Sequence, residues 1–274
     1  MGTGFGAGFH APLGKVVDAS AYDRWTGRWS RLFVPAVLSA AAVEPRSRVL
    51  DVSTGTGEAA RMALPIVGTG GFVVGADISH AMLTGARERL NIPSFLPVVA
   101  DGQALPFTEA SFDAVVCQLG LQFFPDPARG VGEFRRVLRK GGRVAICVIS
   151  TPDRAPMWGN LADVLSRFLP ELSGVLYLSF GLHDPNRLEA MLMDAGFSDV
   201  RVERTTREDS FDGFADYWEP IEAGVGSIPQ AYLTLGAAER RAVREEVRSR
   251  LSRFESNNRL RMSVEMLIGS GRVQ

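Results

Sequence analysis

Between Arg48 and Ile149 apolar positions gather into short unbroken runs, RVLDV, FVVGADI, FLPVVAD, FDAVVCQL and RVAICVIS. Most of the segments between them, GEAARMALPIV, HAMLTGARERL and ARGVGEFRRVLRK, space their apolar residues three or four apart. Short apolar strands alternating with helices of about ten or more residues predict successive βα units, a parallel sheet with right-handed crossovers. Because these strands carry apolar residues on both faces, helices are expected to cover the sheet on both sides. Ahead of this region, from about Ala21, Tyr22, Trp25 and Trp29 recur at helical spacing and predict a helix with an aromatic face. Beyond Thr151 the rhythm breaks. Met157, Trp158, Leu161, Leu165, Phe168 and Leu169 follow helical spacing within residues 152 to 182, and Asn186 to Gly196 reads as a helix ended by a glycine. VRVERT, residues 200 to 205, and MSVEMLIGSG, residues 262 to 271, read as strands, with a mostly helical stretch over 211 to 255 between them. Within that stretch the arginine-rich AERRAVREEVRSRLSRF has the pattern of a solvated amphipathic helix, with Val243, Val247, Leu251 and Phe254 turned inward.

At 274 residues the chain suits one main α/β domain, 1–274. It divides into a mobile arm over 1–20, a core over 21–150, and helical insertions over 151–186 and 207–258. The arm is expected because its first 14 residues hold five glycines and show no period. Thirty basic residues against 31 acidic ones give a formal charge of −1, so the composition offers no electrostatic reason to expect nucleic acid. FVPAVLSAAAV, residues 33 to 43, is too short to cross a bilayer. Cys117 and Cys147 sit inside apolar runs, which predicts buried thiols in a reducing cytoplasm. Three scattered histidines and these two cysteines make no metal-ligand spacing, so no metal is expected.

Candidate chemistry enters with three aspartates, Asp51, Asp77 and Asp101, each placed after an apolar run. In an open parallel sheet the carboxyl ends of the strands share one edge, and ligands bind beyond it. Neighbouring strands are about 4.8 Å apart, so the three carboxylates would line a path on the order of 10 Å, the scale of a nucleoside. Any one of them alone would pass for a helix N-cap; the three together, behind a glycine-rich loop, point to a ligand. The loop Ser53-Thr54-Gly55-Thr56-Gly57 turns from strand to helix, where glycines admit positive φ and helix amides are unpaired. GTGEAA also fits the GxGxxA dinucleotide fingerprint, with Asp77 placed 20 residues past Gly57 as a ribose-binding acid, so an NAD(P)-dependent oxidoreductase is a rival reading. Asp51 and Glu58 weigh against it. Carboxylates beside a pyrophosphate repel it, whereas a cationic ligand, an ammonium or a sulfonium, would be attracted.

VLDVSTGTGEAA, VVGADISHAML, VVADGQALPFTEASFDAVVCQLGLQFFPDP and EFRRVLRKGGRVAI together resemble the class I S-adenosylmethionine-dependent methyltransferases. The likeness is greatest to the branch holding the ubiquinone and menaquinone C-methyltransferases and many small-molecule enzymes. It covers roughly residues 20 to 150 with specific motifs. It implies a Rossmann-like, seven-stranded, mostly parallel sheet whose last strand is antiparallel, flanked by helices and roofed by helical lids. The implied cofactor is S-adenosyl-L-methionine, its amino-acid end on Asp51, Ser53, Gly55 and Gly57 and its ribose on Asp77. Ile78 and Met82 would lie against the adenine, with Asp101, Gly102 and Gln103 at the adenine amino group and Gln118 and Leu119 near the sulfonium. The first helix would close as a lid, with Tyr22 or Arg28 reaching the cofactor. Ser53 departs from the glycine usual in the family, and a serine there needs a negative φ or bears strain. The implied reaction is C- or O-methylation of a small apolar or aromatic acceptor; no catalytic residue is identified. A non-catalytic S-adenosylmethionine-binding protein is a further alternative. Trp158, Phe168, Tyr177, Phe180 and Trp218 are candidate acceptor-pocket residues, and Lys140-Gly141-Gly142 reads as a helix C-cap turn. His80 reads as a capping neighbour, and His183 and His10 carry no assigned role. The partner expected is a small-molecule acceptor, with monomer and homodimer both open.

Overall fold

The computed structural model describes residues 22–274; the expected arm over 1–20, with His10, lies outside the described residues. The five runs named first form β1 (Arg48–Val52), β2 (Phe72–Asp77), β3 (Phe95–Val99), β4 (Phe112–Gln118) and β5 (Leu138–Ile149). The helices packed around them are α1 (Arg28–Ala40), α2 (Glu58–Val67), α3 (His80–Arg89) and α4 (Pro127–Val137). Chain direction is parallel through the pairs β1 with β2, β2 with β3, β1 with β4, and β4 with β5. The chain continues through α5 (Pro156–Phe168), the short α6 (Ser173–Leu176), α7 (Pro185–Asp194) and β6 (Ser198–Phe211), then α8 (Phe214–Glu222), α9 (Ser227–Leu233) and α10 (Ala237–Leu251). It ends in a two-residue β7 (Glu255–Ser256) and β8 (Arg259–Arg272).

Strand order is β3-β2-β1-β4-β5-β8-β6, with β8 antiparallel to β5 and β6 and β7 paired beside β8. The seven expected strands all form, the last one antiparallel, and β7 adds an eighth. Alternate strand residues pack into two cores on opposite faces: Val49, Val116, Ala145 and Cys147 join α1 and α2, while Leu50, Val115, Ile146 and Val148 meet α4 and α7. Both cysteines are fully buried free thiols.

Helices cover both faces of the sheet, and at the β3 edge the apolar Leu96 and Val99 stay open, 45% and 55% exposed. Two expectations are corrected. The second helical insertion does not begin at 207, because β6 runs on to Phe211, paired with Leu260 of an equally extended β8. The polar TTREDS of this outer strand carries no apolar alternation to announce it. Lys140-Gly141-Gly142 is not a helix C-cap: α4 ends at Val137, and the residues form a bulge where the register jumps from Phe112↔Leu138 to Ala114↔Arg143. The first helix is entered through a π-wound turn, Asp23–Gly27, and that winding is frequent at functional sites.

Candidate functional site

Sheet order reverses between β1 and β4, and a crevice opens beyond the carboxyl ends of the strands at such a point. Backbone bonds align the loops there: the Thr54 amide donates to the Ala76 carbonyl at 3.1 Å and the Ala100 amide to the Asp77 carbonyl at 3.0 Å. The cleft so formed spans about 810 Å³ when the open solvent at its mouth is included. Every sequence-predicted cofactor residue except Asp51 and Gly57 lines it. Tyr22, Ser53 and Gly55 close one end, Asp77, Ile78 and Met82 one side, and Asp101, Gly102 and Gln103 the next, with Gln118 and Leu119 at the tip of β4. Sequence reasoning missed Ala100, Gly120, Phe123, Phe124 and Pro125. The last four follow the β4 tip in LGLQFFP, where the topology alone could have signalled them.

The glycine loop is held from inside. Asp77 takes the Gly55 amide at 2.8 Å on one oxygen and the Ser79 amide at 2.9 Å on the other. Asp51 accepts from the Thr54 hydroxyl at 2.6 Å and from the Ala60 amide in the first turn of α2 at 3.1 Å. Asp51 therefore lines not the cleft but a smaller cavity beside it, shared with Tyr22, Ser53, Gly55, Gln118 and Leu119. Burial pushes its carboxyl up to about 7 against the opposing hydrogen bonds from Thr54 and Ala60. Burial raises Asp77 as well. Gly57 lines neither space. It has φ +81°, caps α2, and leaves only 2.7 Å between an added Cβ and Leu90 Cδ1, so it serves the close approach of α2 to α3.

Glu58, which the sequence presents as a bare negative charge, is enclosed by Arg61 at 2.7 Å, Arg31 at 3.8 Å and Arg89. Burial opposes its ionisation, yet Arg61 and Arg89 hold it below the ordinary carboxylate range. Arg89 also pairs with Asp23 at 2.8 Å, tying the π turn beside Tyr22 to the loop. Arg28 is fastened elsewhere, to Asp209 at 2.9 Å and the Ser210 carbonyl at 3.1 Å over the Phe211 ring, so it lines no part of the cleft.

Ser53 adopts φ +57° and Leu119 φ +58°, two non-glycine residues in the left-handed region on facing loops. Of the two conformations open to Ser53, the strained one is found. Such strain concentrates at ligand sites. Gln118, buried between these loops, has neither amide atom hydrogen-bonded among the described residues.

A second cavity, about 510 Å³, meets the cleft at Tyr22, Leu119 and Phe123. Trp25, Ile149 and Trp158 wall it from the core side and Val225 to Pro229, in the loop and first turn of α9, from the lid. Of the aromatics singled out for an acceptor, only Trp158 lines it; Phe180 and Trp218 are core residues, and Tyr177 donates to Asp163. GVGSIP gave no signal beyond a turn. The aromatic face of the first helix divides: Trp25 and Trp29 are buried, while Tyr22 reaches both cavities. His80 opens α3 beside its N-cap Ser79, and His183 Nδ1 lies 2.7 Å from the Phe180 carbonyl.

The family model described as a methyltransferase domain matches residues 50–146. A demethylmenaquinone methyltransferase of Thermus thermophilus is 36% identical over 194 residues, 65% of this chain and 84% of that one. The ubiquinone/menaquinone biosynthesis C-methyltransferase UbiE of Ectopseudomonas mendocina is 34% identical over 200 residues, 67% of this chain and 78% of that one. Among solved structures, phosphoethanolamine N-methyltransferase 2 of Haemonchus contortus with S-adenosyl-L-methionine superposes with TM-score 0.58 at 19% identity, covering 93% of this chain and 57% of that one. The oxidoreductase reading finds no support among these relatives. The chain belongs to the class I S-adenosylmethionine-dependent methyltransferases, in the branch of the ubiquinone and menaquinone C-methyltransferases.

Proposed function

We propose that this methyltransferase acts on a small apolar ring bearing a hydroxyl group, of the quinol class, methylated on carbon or oxygen in the second cavity. The observation that carries this reading is the composition of that cavity: its described lining holds no carboxylate, imidazole, ammonium or guanidinium, only apolar and aromatic walls with a few neutral polar groups. No group in that lining carries a charge to neutralise a phosphate or an ammonium on an acceptor. The quinone-pathway names of the relatives support the same class.

The residues at the cleft suit S-adenosylmethionine. An added Cβ at Gly55, φ +55°, would meet only Tyr22 Cε1 at 3.7 Å, so a ligand has room against its backbone. The unpartnered Gln118 amide offers a donor and an acceptor there. On this assignment Asp51, Ser53 and Gly55 form the seat of the amino-acid end, Gly57 turns the loop into α2 behind them, and Asp77 takes the ribose hydroxyls. Ile78 and Met82 pack on the adenine, and Asp101 with Gly102 and Gln103 faces its amino group. Gln118 and Leu119 pass the sulfonium, and Tyr22 closes the junction between the cavities. When bound, S-adenosylmethionine would supply an activated methyl group, leaving as neutral S-adenosylhomocysteine, while the acceptor's proton would pass to solvent. The chain's part is to align and to exclude water, which in a dry cavity supplies much of the acceleration. The helical segments after β5 and β6 form the acceptor's cover. Buried free thiols and balanced charge support a cytoplasmic place and a small molecule rather than nucleic acid as acceptor; among the described residues no helix is long and apolar enough to cross a membrane. Mass spectrometry of a panel of quinols, phenols, amines and phosphorylated acceptors with labelled methyl donor tests the reading. A labelled quinol is the expected result, and labelling confined to amines or phosphorylated acceptors would overturn it.

A further inference from the structure

Gln122 sits in the single 3₁₀ turn Leu121–Phe123 that follows the β4 tip, 3% exposed, and lines the second cavity. Its Nε2 donates to the Leu119 carbonyl at 3.2 Å. That bond fixes which way the amide faces, because the reversed amide would set oxygen against oxygen. Its Oε1 is buried without a hydrogen-bond partner among the described residues. A buried acceptor left unmade is costly, and native proteins satisfy nearly all of them. Trp25, Ile149, Trp158 and Ile228 give the cavity apolar walls, with the hydroxyls of Thr26, Ser179 and Ser227 also in its lining, and it opens to the cleft at the strained Leu119, whose carbonyl the same side chain holds.

We propose that Gln122 is the specificity-determining residue of the acceptor cavity: its Oε1 accepts a hydrogen bond from a hydroxyl on the acceptor ring and so selects hydroxylated rings over their methyl ethers. This rests on the assignment of the second cavity to the acceptor. An amide oxygen rewards a donor and repels an ether or carbonyl oxygen, so the site takes the reduced, hydroxyl-bearing ring rather than a quinone. A site built to bond a hydroxyl rejects the analogue lacking it more strongly than an apolar pocket rejects an added group. Through the Leu119 carbonyl the same residue also sets the β4 tip, so the ring it orients and the backbone at the junction of the two cavities are positioned by one side chain.

Calorimetry on the full chain with S-adenosylhomocysteine in place, titrated with 1-naphthol and with 1-methoxynaphthalene, tests this without turnover. The wild type is expected to bind the naphthol about tenfold or more tightly than the ether, the range a satisfied buried acceptor gives. Gln122→Met, close in volume but without the oxygen, is expected to remove that preference when measured at saturating S-adenosylhomocysteine. Gln122→Leu gives a second reading should the methionine variant fold poorly. A preference that survives both substitutions, or a wild type that binds the two naphthalenes equally, overturns the proposal. If 1-naphthol binds as tightly to a Trp158→Ala variant as to the wild type, the ring lies outside the second cavity and the acceptor assignment itself fails. A lost preference in the Gln122 variants alongside weakened naphthol binding in Trp158→Ala upholds both.

Discussion

Ser53 and Gly120 are a steric pair, and a double-mutant cycle on them tests whether the left-handed serine shapes the cofactor loop. Gly120 has φ −107° and ψ −45°, which any residue adopts, so alanine there bears no backbone strain of its own. Its added Cβ would stand 2.4 Å from Ser53 Cβ, 2.5 Å from Ser53 Oγ and 3.1 Å from Cys117 Sγ. The serine cannot retreat easily, because β1 and the Thr54–Ala76 backbone bond fix its main chain. Overpacking of this kind costs about 1–3 kcal/mol. Ser53→Gly deletes both clashing atoms and relieves about 1–2 kcal/mol of left-handed strain, offset by about 0.5–1 kcal/mol of added freedom in the unfolded chain, so alone it is near neutral. Gly120→Ala in the Ser53→Gly background meets only the Cys117 sulfur, a few tenths of an ångström too near. Urea unfolding of the four proteins is expected to give a coupling energy of roughly 1–3 kcal/mol, with S-adenosylhomocysteine affinity lost in Gly120→Ala and regained in the double variant. Additivity within about 0.5 kcal/mol would refute the pairing.

Asp51→Asn tests the buried carboxyl. With its pKa raised from 3.8 to about 7 in the folded state, its stabilising contribution is fully present below about pH 4 and lost as pH rises through 7. The wild type should therefore lose up to about 4 kcal/mol relative to the variant across that window in urea midpoints, and parallel profiles would contradict it. Gly57→Ala should destabilise by about 1–3 kcal/mol in the same assay, from φ +81° and the Leu90 contact, and a Leu90→Ala background should restore only the contact's share. Asp77→Ala should lower S-adenosylhomocysteine affinity on the order of 100-fold by calorimetry, since it frees the Gly55 amide and removes the ribose acceptor together; an unchanged affinity would displace Asp77 from the site.

The strands were legible because their apolar runs are forced by burial on both faces, and the cleft because topology places every parallel strand tip on one edge. The far part of β6 was not, since ERTTREDS lies at the sheet's outer edge and none of its residues is buried. The side of the cleft proposed for the cofactor was signalled by Asp77, Asp101 and Gly55, which lie at or just past strand ends. The acceptor side could not. Trp158, Ser179 and Ile228 come from two insertions whose apolar residues serve core and cavity alike, and only packing separates Trp158 from Trp218. Gln122 is polar among aromatics in GLQFFP, yet its significance lies in an oxygen left without a donor, which no spacing encodes.

The electrostatic case for a cationic ligand changes its footing once the loop is seen. Glu58 drops out, because three arginines already enclose it. Asp51 becomes the stronger point for a different reason. A dinucleotide loop binds pyrophosphate with the free amides of the strand-to-helix turn and the first helical residues. Here the Thr54 amide is spent on Ala76, the Gly55 amide on Asp77, the Gly57 amide on the Thr54 carbonyl and the Ala60 amide on Asp51. One amide an anion would use at this helix start, that of Ala60, is taken by the protein's own carboxylate. On the proposed assignment that carboxylate lines the cavity where the amino-acid end of S-adenosylmethionine sits, and an ammonium there favours its ionised form. Cofactor binding below pH 7 should then release a proton, and the same residue that shuts out a pyrophosphate couples the cation's affinity to pH.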